Sequence, residues 1–103
     1  MSLDFNLSLN GGRVFDSNMT HNVINMWVEA GAYDALYLSD GMKAYEVLCD
    51  LAKAIGDMYA LPEKYKAMNS PNLWGVYDNA LPFIVSVYRA CIEYPDATIE
   101  ISS

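Results

Sequence analysis

Leu3-Asp4-Phe5-Asn6-Leu7-Ser8-Leu9-Asn10-Gly11-Gly12 sets the architecture of this chain. Leu3, Phe5, Leu7 and Leu9 alternate with Asp4, Asn6, Ser8 and Asn10, a period of two that lays one face of a strand on a core and the other in water. Asn10-Gly11 is a favoured pair for a tight turn because both positions tolerate positive φ, so the spacing predicts a hairpin returning through Arg13-Val14-Phe15-Asp16. At the far end Ala97, Ile99 and Ile101 alternate with Thr98, Glu100 and Ser102. Strands at both ends of a chain cannot leave their backbone N–H and C=O groups buried and unpaired. The economical solution is one small antiparallel sheet that joins the two ends, with the intervening helices covering its apolar face.

Between those strands the apolar residues change to helical spacing. Val23, Met26, Trp27 and Ala30 follow Thr20 at i, i+3, i+4, i+7, and Gly31 is placed to end the turn, which predicts a helix near residues 20–30. Tyr33-Asp34-Ala35-Leu36-Tyr37 reads as a short helical turn, and Ser39-Asp40-Gly41 as the cap of a longer helix. In that helix Tyr45, Leu48, Ala52, Ile55 and Tyr59 are expected on one face, with Lys43, Glu46, Asp50, Lys53 and Asp57 on a solvated one. Leu61-Pro62-Glu63 starts another brief helix that ends near Met68, because proline is tolerated in a first turn. Asn69-Ser70-Pro71-Asn72 is the most turn-rich stretch. After it Tyr77, Leu81, Ile84, Tyr88 and Cys91 mark a long helix running to about Tyr94, beginning near Asn79 or bent at Pro82, and stopped by Pro95-Asp96. The fold class expected is therefore α+β: one domain over residues 1–103, in which an amino-terminal strand or hairpin and a carboxy-terminal strand form a small antiparallel sheet covered on one face by three to five helices.

Composition narrows the function classes. The chain has 103 residues, 53% hydrophobic and 18% charged, within the range of one ordinary globular domain. Its formal charge is −7, from thirteen acidic and six basic residues. Arg13, Lys43, Lys53, Lys64, Lys66 and Arg89 are scattered, so no phosphate-tracking patch forms and nucleic-acid or anionic-membrane binding is disfavoured. Eight of the thirteen aromatic residues are tyrosines, which place many rings at the core boundary or in an interface, where the hydroxyl finds a partner. Cys49 and Cys91 both fall in helical patterns and read as small buried hydrophobes. The amino end lacks the charged and apolar regions of a secretory leader, and no apolar run approaches the about 18 residues that span a bilayer, so the cytoplasm is the expected compartment.

Two constellations carry the candidate chemistry. Thr20-His21-Asn22 joins a natural helix cap to the only histidine of the chain and an amide, where backbone N–H groups lack intrahelical partners and can hold an anion or a carboxylate. Capping and local turns explain the same residue types without a ligand. Asn69, Asn72, Trp74 and Tyr77 join amides, an indole and a phenol across a loop-to-helix junction. If the two constellations lie side by side they form a pocket for a flat polar ligand such as a nucleobase. The plainer alternative is that Trp27 and Trp74 anchor helices to the sheet and the asparagines close turns. No metal is expected at His21, since no His-x-x-x-His or Cys-x-x-Cys spacing accompanies it. Catalysis by Cys49 or Cys91 with His21 is disfavoured by the core positions of the thiols, and a hydrolase using His21 as base lacks a nucleophile and a charge stabiliser.

The pattern Asn18-x-Thr20-His21-Asn22-x-x-x-Met26, then Ala30-Gly31-x-Tyr33-x-Ala35-Leu36-Tyr37, then Asn69-Ser70-Pro71-Asn72-x-Trp74-Gly75-x-Tyr77 and Pro95-Asp96-Ala97 resembles a group of small proteins encoded by bacteriophages and bacteria. The likeness runs from about residue 18 to the carboxyl end; residues 42–60 match only in helical character. It implies a phage, prophage or bacterial origin, and because the group has no established activity it carries across no catalytic or ligand residue. The sequence is thus read as a non-enzymatic protein without cofactor, acting on a protein partner or on itself as a homodimer, for instance through an open sheet edge. The competing reading is a small-molecule or nucleotide binder whose pocket lies near His21 and Trp74, lined by Thr20, Asn22, Asn69, Asn72 and Tyr77.

Overall fold

A computed structural model describes residues 2–103. The first strand, β1 (Ser2–Leu9), lies at the centre of a four-stranded antiparallel sheet. It turns through Asn10 and Gly11, whose φ values of 54° and 80° are both positive, as a two-residue hairpin of the primed type requires. The return strand β2 (Gly12–Phe15) pairs Leu9 with Gly12 and Ser8 with Arg13, then shifts register so that Leu7 faces Phe15. That shift is a bulge, and it keeps Phe15 on the same face as Leu7.

A third strand, β3 (Asn18–Thr20), pairs Ser2 with Thr20 and Asp4 with Asn18. It is the one strand absent from the sequence reading. Ser17 connects β2 to β3 and clamps the middle of β1: its carbonyl accepts from Phe5 N–H at 3.1 Å, and its hydroxyl donates to the Phe5 carbonyl at 2.6 Å. The closing strand β4 (Thr98–Ser102) pairs with β1 from Asp4↔Ser102 to Ser8↔Thr98. Asp4 is shared with β3, and Leu7 and Ser8 with β2, so β4 occupies the opposite edge of β1 and the two chain ends are neighbours, as expected.

The outer edge of β4 is not open. Gly41 N–H donates to the Ile99 carbonyl, Ile99 N–H to the Met42 carbonyl, and Ala44 N–H to the Ala97 carbonyl, at 2.8–2.9 Å. One bond further along, the Asp40 carboxylate accepts from Ile101 N–H at 2.7 Å. Segment 40–44 thus stands in for a neighbouring strand, which blunts the edge against pairing with another chain. The expected cap role of Ser39-Asp40-Gly41 is corrected accordingly: Asp40 serves the sheet and Ser39 Oγ donates back to the Ala35 carbonyl at 2.6 Å. The helix that follows is started by Lys43 and Glu46, the Glu46 side chain accepting from Lys43 N–H at 2.9 Å.

Five α-helices cover one face of the sheet. After a short 3-10 turn (His21–Val23) come α1 (Ile24–Ala30) and α2 (Tyr33–Tyr37); a second 3-10 turn (Ala44–Val47) leads into α3 (Leu48–Ala60), then α4 (Pro62–Lys66) and α5 (Tyr77–Glu93). Gly31 ends α1 at φ 82°, with its N–H bonded to the Trp27 and Val28 carbonyls. Leu3, Phe5, Leu7 and Ile99 point from the sheet into a core completed by Met26, Trp27, Leu51, Met58, Ile84 and Val87, all without solvent exposure. Burying each such side chain stabilises the fold by about 1.5–3 kcal/mol before the ordering cost is counted. No helix among the described residues is long and apolar enough to cross a membrane.

One helix face differs from expectation. In α3 the buried residues are Leu51, Ala54 and Met58, continuing Ala44 and Val47 of the preceding turn, whereas Tyr45 and Tyr59 are more than half exposed. Counting tyrosines as apolar rotated the predicted stripe away from the true one. The same rotation corrects Cys49, which is exposed, whereas Cys91 is buried, its thiol pushed up to about 12 by that burial. α5 starts at Tyr77 and passes through Pro82, so of the two expected alternatives the later start near Asn79 is the one set aside. Pro82 itself is exposed, so the hydrogen bond it cannot make is missing on the watered side of the helix.

Candidate functional site

Thr20 adopts an extended conformation and its Oγ1 accepts from Asn22 N–H at 3.2 Å, the cap predicted from its residue type. His21 is half-buried and its Nδ1 shares a 2.8 Å hydrogen bond with the Tyr37 hydroxyl. Tyr37 in turn stacks on Tyr33 with ring centroids 4.9 Å apart. Burial, with a smaller contribution from Tyr33, pushes the Tyr37 phenol up to about 12. The imidazole is therefore tied to a phenol that stays protonated through the neutral range, an arrangement suited to holding a ring in place.

The second constellation begins where α4 ends. Tyr65 is fully buried and its hydroxyl donates to the Asp57 carboxylate; Lys64 Nζ lies 3.3 Å from both Asp57 and Glu29. The Tyr65 hydrogen bond, helped by Lys64, holds the Asp57 carboxyl below its ordinary range against the opposing effect of desolvation. Burial first and the hydrogen bond to Asp57 second raise the Tyr65 phenol. These contacts tie α4 to α1 and α3 and so fix the point from which the next loop departs.

That loop closes on itself. Ser70 N–H donates to the Gly75 carbonyl and Gly75 N–H to Ser70 Oγ, both at 2.8 Å. The Asn72 side-chain oxygen accepts from Ser70 Oγ at 2.8 Å and from Trp74 N–H at 3.1 Å, the local side-chain turn that makes asparagine common in loops. Asn69 Oδ1 accepts from Tyr77 N–H at 2.8 Å and so serves the first turn of α5. Tyr77 is buried, and its hydroxyl donates to the Met58 carbonyl at 2.7 Å.

Gly75 brings the two constellations into contact. A Cβ on Gly75 would lie 2.5 Å from Asn22 Cβ and 2.7 Å from the Asn22 carbonyl carbon, so the loop backbone rests directly on the turn that carries Thr20 and His21. The tip of the loop points the other way. Leu73, at φ 63°, is 72% exposed and Trp74 is 74% exposed. Trp27 behaves as the expected anchor, buried beside Phe83 with centroids 6.0 Å apart. Trp74 does not, because closure of the loop around Asn72 turns its side chain outward. The asparagines do close turns, as anticipated.

Of the seven residues read as a site, the structure thus joins Thr20, His21 and Asn22 to Asn69, Asn72, Trp74 and Tyr77 through a backbone contact. Thr20 Oγ1, His21 Nδ1, the side-chain oxygens of Asn69 and Asn72, and the Tyr77 hydroxyl nevertheless have partners inside the protein. What the assembly offers outward is an indole and an isobutyl group on a braced loop. Sequence reading gave Leu73 and Gly75 no part in the site; the signal for the latter was a glycine directly after Trp74, at the end of the most turn-rich stretch. Among the described residues, no group of three or more His, Cys, Asp or Glu side chains is close enough to hold a metal ion. No family model matches the chain, and no curated protein or solved structure is detectably similar to it.

Proposed function

We propose that this protein works by binding a protein partner through Leu73 and Trp74 at the tip of the 70–75 loop. One observation carries the reading: a tryptophan three-quarters exposed stands on a loop whose hydrogen bonds are already closed and whose base is seated on Asn22. Large apolar side chains cost free energy in water, and a tryptophan that enters a partner's pocket is the commonest kind of interface anchor. A loop ordered beforehand adds little further entropy cost on binding. The resemblance to phage and bacterial proteins directs the search for that partner to bacterial lysates.

The test compares wild type with Trp74→Ala on an affinity matrix, followed by titration of each captured protein in purified form. A partner that loses at least tenfold in affinity with Trp74→Ala supports the reading, in line with the ≥ ~2 kcal/mol cost of losing an anchor. Partners that bind both forms equally would remove it. The competing reading, a nucleotide held near His21 and Trp74, draws on the same exposed indole, but the side-chain oxygens of Asn69 and Asn72 and Nδ1 of His21 are engaged internally. A nucleotide that raises the melting temperature of wild type and not of Trp74→Ala would put that reading in place of ours.

A further inference from the structure

A groove of about 480 Å³ runs along the outer side of α5, with Phe15 of β2 and Tyr59 of α3 among its walls, and with Arg89 and Glu93 on the helix itself. Pro82, Val85, Arg89 and Ile92 recur on α5 at intervals of three and four, the spacing of a helix-packing seam. Ile92 is 53% exposed and so is unpartnered. Tyr45, whose N–H reaches the Pro95 carbonyl at the same end of α5, is 54% exposed. An apolar strip with aromatic flanks is thus left in water.

Its charges say what covers it. Ion pairs among the described residues join Arg13 to Glu100 and Lys64 to Glu29 and Asp57. Arg89 and Glu93 take part in none of them, although they stand four apart on one helix, in the weaker of the two orders for such a pair. A ligand with one charge would answer one of these groups and oppose the other. A surface that carries both signs four residues apart is complementary to itself when turned around.

We infer that α5 is a self-association surface on which a second copy of this chain docks antiparallel, the two-fold axis passing at the level of Cys91 so that each Arg89 pairs with the other copy's Glu93. Two-fold symmetry makes every such contact occur twice. Ile92 then meets its own symmetry mate between the two ion pairs. Arg89, Ile92 and Glu93 all lie on α5, so the contact is made by helices. None of the residues involved belongs to the 70–75 loop, so this surface stands or falls independently of Trp74.

Sedimentation over a concentration series tests it. Wild type dimerises in the micromolar range, and Trp74→Ala dimerises equally well. Arg89→Glu alone or Glu93→Arg alone sets like charges opposite each other at two places and weakens the dimer by about tenfold or more. An equimolar mixture of the two single variants forms a heterodimer, because each then supplies the charges the other lacks, and the double variant regains self-association. Circular dichroism verifies that these exposed substitutions leave the fold intact. A wild type that stays monomeric up to about 1 mM, at which even a millimolar contact is half formed, overturns the inference. So do single variants that dimerise like wild type, a mixture that fails to associate, or a monomer whose groove is instead saturated by a long-chain carboxylate such as laurate.

Discussion

Residues 38–43 and residues 67–76 are the two long irregular connections in the helical layer, built from much the same residue types, and they face opposite ways. In the first, Asp40, Gly41 and Met42 direct their hydrogen bonds onto β4, so the loop completes the sheet and becomes part of the frame. In the second, Ser70, Asn72 and Gly75 direct theirs onto one another, so the 70–75 turn closes on itself, rests on Asn22 at Gly75 and leaves its apolar tip in water. The lesson is that polar turn residues fix a loop, and the destination of their bonds determines whether it is scaffold or contact surface.

The seat of the outward loop is the most sensitive point of this contrast. Gly75→Ala forces a methyl group against Asn22, with the carbonyl oxygen at 2.8 Å as well as the nearer carbons. Backbone at a helix start cannot shift by the required ångström without breaking the Thr20 cap. Overpacking of this kind costs about 1–3 kcal/mol, and the clash with backbone places this variant near the upper end, about 3 kcal/mol. Urea unfolding reads the loss, and wild-type stability in Gly75→Ala would mean that the loop does not rest on Asn22.

The inward loop gives a smaller effect with a local signature. Asp40→Ala removes the acceptor for Ile101 N–H. A hydrogen bond to a charged group is worth about 1.5–3 kcal/mol, discounted here to about 1 kcal/mol because Asp40 is exposed. Amide exchange should quicken at Ile101 while Ile99, held by the Met42 carbonyl, stays protected. Uniform quickening of both would show that the segment acts as a single unit and that Asp40 has no separate role.

The same contrast explains what could be read from residues alone. β1, the Asn10-Gly11 turn and β4 were legible because a period of two and a positive-φ pair are local signals. β3 was not, since three residues contain too little alternation and owe their strand conformation to β1. Tyr45 and Tyr59 misled because a phenol counts as apolar in a periodicity yet sits comfortably in water. The site divided along the same line. Asn69 and Asn72 announced turns, and turns they make. Trp27 lay in phase with Val23 and Met26, so its burial was legible; Trp74, flanked by Leu73 and Gly75, belonged to no periodic face, and its exposure followed only from the way the loop closes.

Two substitutions at the loop tip separate strain from function. Leu73→Gly relieves a left-handed backbone that costs a non-glycine residue about 1 kcal/mol, partly offset by the greater freedom of glycine in the unfolded chain. A net gain of about 0.5 kcal/mol is expected, with weaker partner binding because the isobutyl group is gone. A loss of stability would mean that Leu73 packs against something after all.

Trp74→Ala should change the unfolding free energy least, by no more than about 0.5 kcal/mol, as for other surface substitutions away from caps and cores. Its signature is optical. The two tryptophans sit at opposite extremes, Trp27 with no exposed surface and Trp74 with 74%. Removing Trp74 therefore leaves an emission spectrum shifted to shorter wavelength and almost immune to quenching by iodide, whereas wild type shows a strongly quenched component. Partner binding that protects this component from iodide would show the indole entering the contact. Binding that leaves it fully quenched would locate the contact elsewhere on the molecule and reduce the outward loop to the same structural role as the inward one.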